Sequence, residues 1–351
     1  MRASLLLVLA GTRALERPRT HAVTTKIRIT ATDDSNAAAI ADALANIKLK
    51  LSGGATSGLK HRLEVGAFFA GWYALNIYYN IINKKVLKTV GLPWLVSWCQ
   101  LVVGAVYALA VGRVGLSGIG QNVRDALPVA VAHCGQQVTT VISLGAGAVS
   151  MTHVVKALEP LFSAGVNAVV RGEILPAPVY AALLPVVGGV AVAIASDLTF
   201  NPLSFGAAMT SNLFSGLRAV LSKAHLENTK QTAPELFGAA TIGAACILAP
   251  LAFLVEGSKV KGSLEDLDTQ RVGLQVALSG LFHYLNNEVM YMCLARVNPV
   301  TLAVGNTVKR VVIIAAAMVV FGEAMEPVAA AGTAVAIAGV LLYSMLKQRL
   351  A

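Results

Sequence analysis

Long apolar segments recur along most of this chain and constrain its fold more than any other feature. From Val65 onward, runs of roughly 20 apolar residues alternate with short polar or Gly/Pro breaks. A segment of that length crosses a bilayer as one helix, so the runs predict an all-α integral membrane protein with about ten transmembrane helices. The predicted helices have approximate centres at Leu75, Val102, Val131, Leu161, Val186, Leu213, Ala245, Leu281, Ile313 and Val335.

The charge content supports a chain surrounded mostly by lipid. Only 13% of the 351 residues are charged and 56% are hydrophobic, whereas a soluble protein has about 25% charged residues. The alternative, a large soluble core, does not explain apolar runs along the whole length. The net charge of +10 is scattered between the runs and forms no dense basic patch, so nucleic acid is not an expected partner.

The sequence lacks the motifs of an enzyme, a metal protein or an ATP-driven pump. Cys99, Cys134, Cys246 and Cys293 lie far apart in apolar segments, without metal-ligand or redox spacing, and are expected to be small buried hydrophobes. There is no nucleotide-binding glycine loop and no nucleophile with catalytic partners. We therefore expect no enzymatic activity, no cofactor and no metal ion.

The first 62 residues are predicted to be a leader that is removed or disordered. Residues 1–14, "MRASLLLVLAGTRA", resemble a signal peptide, and residues 16–62 form a polar, net basic, transit-like stretch despite Asp33 and Asp34. This order suits a plastid surrounded by extra membranes. The membrane domain is then expected to comprise residues 63–351.

The distribution of Lys and Arg predicts that both termini face the same, inner side of the membrane. Lys84, Lys85 and Lys88 fall in the first predicted opposite loop, contrary to this orientation, which suggests that they have another role. The cations predicted to lie on the inner side are Arg113, Arg124, Arg171, Lys223, Lys230, Arg296, Lys347 and Arg349.

The chain contains an internal repeat. Residues 171–196, "RGEILPAPVYAALLPVVGGVAVAIAS", resemble residues 321–345, "FGEAMEPVAAAGTAVAIAGVLLYSM". Each copy begins with a Gly-Glu pair and follows a helix that carries a cation. Two five-helix repeats, about 65–197 and 202–348, would have opposite orientations, as in secondary transporters whose substrate site lies where the halves meet.

Three cations lie inside predicted spans: Lys156, Lys309 and Arg310. A cation at the bilayer centre costs about 2.5–3.5 kcal/mol on insertion scales, so these side chains must face water, a counter-ion or a bound anion. Pro160 follows Lys156 by four residues and is expected to bend that helix.

Two explanations of the intramembrane cations remain open. They can pair with Glu159 and Glu288, although three cations against two carboxylates leave a positive surplus. Alternatively they bind a phosphate group, for which an Arg fork beside Lys charges is suited. Arg218 either adds a fourth cation or ends the sixth helix at the surface, and Thr140 offers a hydroxyl. His153 is expected to be a packed, hydrogen-bonded residue.

Three motifs give the chain a recognisable family resemblance. "YNIINKK" (79–85), "THVVKALEP" (152–160) and "VGNTVKRVVI" (304–313) closely resemble the plastid phosphate translocators of the drug/metabolite transporter superfamily, over about residues 65–348. The resemblance implies exchange of inorganic phosphate for phosphorylated metabolites of three to six carbons. It also implies that Lys156, Lys309 and Arg310 hold the phosphate group and that Thr140 assists.

Departures from the family pattern bear on the substrate. Gln137 stands where triose-phosphate members have histidine and phosphoenolpyruvate members have asparagine. Asn286 stands where a phosphate-contacting tyrosine is expected, with Tyr284 as a candidate substitute, and Glu288 replaces a neutral amide. We expect phosphoenolpyruvate to be accepted, triose phosphate and 3-phosphoglycerate to be comparable or weaker, and hexose phosphates to be poor substrates.

The sequence therefore predicts a phosphate antiporter of a plastid envelope membrane, with phosphate, phosphorylated C3 metabolites and lipid as its partners. A nucleotide-sugar or other organic-anion carrier of the secretory pathway is the alternative. The oligomeric state is left open, a homodimer included.

Overall fold

Helices occur throughout the described parts of the chain. The computed structural model describes residues 35–198, 200–294 and 299–350, and side chains from 63 onward except at 291, 293–300 and 303. All ten predicted centres lie in helices, and no strand occurs within those ranges. The helices are α1 Ser35–Val90, α2 Pro93–Ala110, α3 Ile119–Asp125, α4 Leu127–Ala146, α5 Val149–Val155, α6 Glu159–Arg171, α7 Ala177–Ala181, α8 Leu184–Ala195, α9 Pro202–Asn228, α10 Ala233–Glu256, α11 Val260–Leu264, α12 Thr269–Leu294, α13 Pro299–Phe321 and α14 Pro327–Leu350, with 3₁₀ turns at Lys156–Leu158 and Gly257–Lys259.

Among the described residues, five helical segments are long and apolar enough to cross a membrane by length and composition. Other helices at predicted centres, such as α1, α4 and α12, carry buried polar residues, including Asn80, Gln137 and Asn286, which lower their mean hydropathy. The expected all-α membrane protein thus agrees with the structure, and the ten-span count stays a prediction. The five segments are Pro93–Ala110, Ala177–Ala195, Ala233–Leu264, Val304–Phe321 and Pro327–Leu350.

The chain divides into two units, Met1–Ala67 and Phe68–Ala351. Within the predicted leader, the backbone is helical from Ser35, and residues 1–34 lie outside the described residues. The predicted leader and its removal therefore stay predictions.

Helix ends follow local sequence signals. Proline stands in the first turn of several helices, where its missing N–H is not needed. The side chain of Asn201 accepts the Ser204 N–H at the start of α9. Helices α6 and α13 both end before a glycine with positive φ, 68° at Gly172 and 65° at Gly322, a conformation that favours glycine.

The two copies of the repeated sequence pack against each other through small residues. A Cβ on Gly189 of α8 would lie 2.5 Å from the Gly332 oxygen and the Ala336 nitrogen of α14. A Cβ on Gly339 of α14 would lie 2.9 Å from the Val186 nitrogen. Small residues permit this approach of two backbones, as is common between membrane helices.

The helix that carries Lys156 is interrupted at that residue. A 3₁₀ turn, Lys156–Leu158, separates α5 from α6, as expected from Pro160, which cannot donate a helical hydrogen bond. The carbonyl of Val155 accepts a hydrogen bond from Asn212 Nδ2 at 2.9 Å. A side chain of α9 thus bonds to the backbone beside the break.

The placement of Lys84, Lys85 and Lys88 in a loop was wrong, because all three lie in α1. The Lys84 side chain is buried and its Nζ donates to the carbonyls of Leu144 at 2.6 Å and Gly147 at 2.7 Å. A lysine near a helix C-terminus binds the last carbonyls, which lack helical partners. Lys84 therefore stabilises the end of α4, which accounts for its position.

The cysteines are only partly as expected. Cys134 is buried, Cys99 is intermediate and Cys246 is exposed, while the Cys293 side chain is outside the described set. The burial prediction was therefore wrong for Cys246. In a membrane domain an apolar side chain on the outer surface can face lipid, so it needs no burial in protein.

Candidate functional site

A cavity of about 640 Å³ lies among the helices and contains most of the predicted site residues. Lys156, Lys309 and Arg310 all line it, as does Arg218. The cavity wall also reaches Lys347 in the last turn of α14. These four side chains thus face one shared internal space.

Lys156 is held by two hydroxyl groups. Its Nζ donates to Ser211 Oγ at 2.7 Å and lies 3.5 Å from Thr140 Oγ1. The two hydroxyls are themselves 2.6 Å apart. Thr140 thus lies beside Lys156, and Ser211 on α9 is a further neighbour that no sequence motif indicated.

Lys309 and Arg310 have different surroundings. The Lys309 Nζ lies 4.5 Å from the centroid of the buried Trp72 ring, a cation–π arrangement. The Arg310 Nη2 lies 2.6 Å from Glu159 Oε2. Of the two predicted carboxylate partners, Glu159 is thus present in the cavity.

Arg218 faces the cavity and does not end its helix at the surface. It lies in the middle of α9, which continues to Asn228. Its Nη1 is buried and has no hydrogen-bond partner among the described residues. The guanidinium therefore has an unused donor beside the cavity.

Glu288 does not line the cavity, so it does not supply the second carboxylate of the ion-pairing alternative. It forms an ion pair with Arg113, and its side chain is 1% exposed. Arg113, which the sequence placed among the cations on the inner side of the membrane, thus has a buried carboxylate partner. Glu159 remains as the one carboxylate along the described cavity wall, against five cations: Lys156, Arg218, Lys309, Arg310 and Lys347.

Tyr284 does not line the cavity either, which corrects its expected role as a substitute phosphate contact. Its buried ring lies 5.2 Å from Tyr107 and 5.0 Å from Phe237, centroid to centroid. His283 takes the cavity-facing position beside it. Residues 284 and 288 are four apart and share the helix face that points away from the cavity.

Asn286 and Gln137 both line the cavity. Asn286 Oδ1 accepts a hydrogen bond from Asn76 Nδ2 at 2.8 Å. Gln137 Nε2 donates to Gln100 Oε1 at 2.7 Å and lies 3.5 Å from the Tyr79 hydroxyl. His153 is bonded to Asn80 at 3.0 Å and is packed, as predicted.

Helical spacing reveals cavity residues that the motif search missed. On α4, Thr140 and Gln137 belong to a stripe with Gln136 and His133, at the three- and four-residue spacing of one helix face. Reading that spacing backward from Thr140 would have identified His133 and Gln136. His283 follows in the same way from Asn286.

The family model for the Triose-phosphate Transporter family matches residues 63–344, nearly the whole membrane domain. The chain belongs to this family. The match includes every cavity residue described above except Lys347.

Curated relatives of the Triose-phosphate Transporter family differ in the substrates that they are named for. The chain is 37% identical to glucose-6-phosphate/phosphate translocator 1, chloroplastic, of Arabidopsis thaliana, over 82% of this chain and 76% of that protein. It is 39% identical to phosphoenolpyruvate/phosphate translocator 1, chloroplastic, of Oryza sativa subsp. japonica, over 83% and 74%. It is 38% identical to the triose phosphate/phosphate translocator, chloroplastic, of Spinacia oleracea, over 85% and 76%. Such similar identities do not select one substrate.

The fold also occurs in a protein whose crystal structure has been solved. It aligns with a TM-score of 0.53 and 16% sequence identity, over 80% of this chain and 99% of that chain. At this identity the likeness concerns the fold alone.

Proposed function

We propose that this chain is an antiporter that exchanges inorganic phosphate for phosphorylated C3 metabolites across a plastid envelope membrane by alternating access. Its relatives are named as chloroplastic phosphate translocators, which supports the plastid location. The proposed activity moves the phosphorylated compound without changing it chemically.

The excess of positive charge in the cavity carries the proposal. Five cations face one carboxylate along the described cavity wall, and that carboxylate is already paired with Arg310. Lys156 has hydroxyl groups as partners and Lys309 an aromatic ring, and neither forms an ion pair with a carboxylate among the described residues. A phosphate dianion would offset this charge, and an Arg fork beside Lys charges suits its oxygens.

The same charge supports obligatory exchange. An empty carrier has to pass through a closed state in which the cations repel each other with little screening from water. A bound phosphate group offsets most of that repulsion. The loaded carrier should therefore cross between inward-open and outward-open forms much faster than the empty one.

We further propose ten spans arranged as two inverted five-helix repeats, with both termini on one side. The repeated Gly-Glu pairs follow α6 and α13 in equivalent ways, and the helices after them, α8 and α14, pack together. Lys156 and Lys309 come from matching helices of the two halves. The cavity between the halves is where such transporters bind their substrates.

Exchange in liposomes tests the proposal. Protein from about residue 60 onward is reconstituted into vesicles loaded with labelled phosphate, and external phosphate or phosphorylated C3 compounds are added. We expect rapid release of label, and much slower release into medium without a counter-substrate. Comparable rates with and without a counter-substrate would contradict obligatory exchange.

Substitution of the cavity cations tests the site. Lys156→Ala, Lys309→Ala and Arg310→Ala should each nearly abolish exchange, because a buried charged contact to phosphate is lost. Lys223→Ala is the matched control, since Lys223 lies on α9 with its side chain 58% exposed. Near-normal exchange in a cavity variant would remove that residue from the site.

A further inference from the structure

Two buried histidines at the cavity have ring nitrogens without a hydrogen-bond partner among the described residues. His133 of α4 is 2% exposed and His283 of α12 is 7% exposed, and both line the cavity. Neither ring nitrogen of His133 has a hydrogen-bond partner among the described residues, and the same holds for Nε2 of His283. Burying such a group without a partner costs free energy. A ligand that forms hydrogen bonds with these nitrogens would remove that cost.

The two rings form one structural unit. Their centroids are 5.9 Å apart and their planes are inclined by 17°. Tyr79 packs on His283 at 5.2 Å and Phe237 packs on His133 at 5.3 Å. Aromatic neighbours on both sides hold the rings in place beside the cavity, so their nitrogens are positioned before any ligand arrives.

The histidine pair and the proposed phosphate-binding cations line the same cavity. Lys156 Nζ contacts a hydroxyl group, Lys309 the Trp72 ring and Arg310 the Glu159 carboxylate, whereas the ring contacts of the two histidines are with each other, Tyr79 and Phe237. Arg218, whose Nη1 has no hydrogen-bond partner among the described residues, lines the cavity as well. A molecule whose phosphate group is bound by the three cations shares this cavity with the histidines, and its other end is available to their ring nitrogens.

The chemistry of a neutral imidazole limits what that end can be. Each neutral ring offers one N–H donor and one nitrogen acceptor. A hydroxyl group both donates and accepts, so it can satisfy either nitrogen, and Gln136 Oε1, also buried without a described partner, is a further acceptor for its proton. A carboxylate only accepts, and it would leave the acceptor nitrogens unsatisfied. Phosphoenolpyruvate has no hydroxyl group to donate.

We propose that His133 and His283, with Gln136, form a subsite that binds a hydroxyl group on the organic end of the phosphorylated substrate. This rests on the proposed function, since it assumes that phosphate occupies the three cations. It assigns hydroxylated phosphate esters, such as 3-phosphoglycerate and triose phosphate, as the favoured exchange partners. It reverses the sequence-based expectation that favoured phosphoenolpyruvate.

A matched pair of compounds tests the subsite. 3-Phosphoglycerate and 3-(phosphonooxy)propionate differ only by one hydroxyl group, and their competition against labelled phosphate gives two inhibition constants. In the wild type the hydroxylated compound should bind about tenfold more tightly, the scale of one good hydrogen bond. His133→Phe and His283→Phe keep a ring but remove the nitrogens, and each should reduce this ratio toward one. His133→Gln, which restores a donor and an acceptor, should recover part of it.

Each outcome of this experiment bears on a separate claim. Failure of the wild type to exchange phosphate would contradict the proposed function itself. If exchange occurs but the wild type does not distinguish the two compounds, the subsite is overturned. It is equally overturned if both phenylalanine variants keep the wild-type ratio, or if His133→Gln behaves like His133→Phe.

Discussion

The Arg310 guanidinium lies 2.6 Å from the Glu159 carboxylate inside the cavity, so one of the cations already has a partner from the protein. Both side chains are partly exposed to the cavity, Arg310 at 14% and Glu159 at 33%. Glu159 also acts electrostatically on Lys156 and Lys309. The negative charge of Glu159 therefore reduces the repulsion among the cations of the empty cavity. It also reduces their attraction for an anion.

Glu159→Gln should make the thermal stability of the protein depend more strongly on phosphate. Without the carboxylate, Arg310 loses its charged partner and the cavity gains one net positive charge. The melting temperature without phosphate should fall, and added phosphate should raise it by more than in the wild type, because a ligand stabilises the state that binds it. Thermal unfolding in detergent over a phosphate titration measures both effects.

Glu227→Gln is the matched control for this prediction. Glu227 pairs with Arg171, and its side chain is 47% exposed at the surface. Its loss should leave the phosphate-dependent change in melting temperature at the wild-type value. If Glu159→Gln and Glu227→Gln respond equally to phosphate, Glu159 does not set the charge of the binding cavity.

Two neighbouring glycines of α8 test how closely this helix packs against α14. A Cβ at Gly189 would meet backbone atoms of α14 at 2.5 Å, whereas a Cβ at Gly188 meets nothing within 4 Å. Gly189→Ala should lower stability by about 1–3 kcal/mol through overpacking, and Gly188→Ala should not. Melting temperature and monodispersity on gel filtration compare the two variants. Equal behaviour would mean that α8 and α14 are not this close.

The approximate helix positions could be predicted from the sequence because a long apolar run favours helical structure in a membrane, and the broken helix at Lys156 followed from Pro160. The rotation of each helix about its axis was harder to predict. In α12, His283 and Tyr284 are adjacent, so they point about 100° apart, and a motif that shifts by one residue selects the wrong one. Tyr284 was expected at the cavity, yet His283 lines it.

Contacts between charged residues and distant segments could not be predicted from the sequence either. Glu288 was one of the two carboxylates considered as partners of the cavity cations. Its partner Arg113 is separated from it by 175 residues, and the sequence of neither segment indicates this pairing. Lys84 is similar, since its role depends on the carbonyls at the end of α4, which follow about 60 residues later.

The repeated glutamates have different partners in the two halves. Glu323 accepts the backbone N–H groups of Val149 at 2.8 Å and Ser150 at 2.9 Å, at the start of α5. Its repeat equivalent, Glu173, instead accepts from the side chains of Asn167 and Arg171. A carboxylate at a helix N-terminus binds its free N–H groups and favours its dipole. Glu323 thus joins α5 to the segment after α13.

Glu323→Gln should weaken this junction. A neutral amide has one acceptor oxygen in place of two and loses the favourable charge at the helix start. We expect a loss of about 1 kcal/mol, the usual scale of a helix cap, seen as a lower melting temperature. Glu326→Gln, three residues later with an exposed side chain, should melt like the wild type. A wild-type melting temperature for Glu323→Gln would show that the cap does not stabilise the protein.

Gln137 supplies the last prediction, which concerns substrate choice. Its amide lines the cavity while Nε2 donates to Gln100 Oε1 at 2.7 Å. Gln100 in turn donates to Asn83 at 2.8 Å and Ser279 at 2.9 Å. The amide is thus held in one orientation by a buried polar chain, so a residue of different chemistry there changes what the substrate meets.

Gln137→His should shift the preference toward triose phosphates by about tenfold. A histidine can carry a proton near neutral pH and bond a hydroxyl or carboxylate with charge assistance, and one hydrogen bond to a charged group has about this effect. Competition by dihydroxyacetone phosphate and phosphoenolpyruvate against labelled phosphate, between about pH 6 and 8, spans the ordinary titration range of histidine.

Gln137→Asn is the control, because it keeps a neutral amide and shortens the side chain by one methylene. It should preserve the wild-type order of substrates at every pH. If Gln137→His also leaves that order unchanged, Gln137 does not contact the organic end of the substrate. Substrate choice would then depend on other cavity residues, with the pair His133 and His283 as the first to examine.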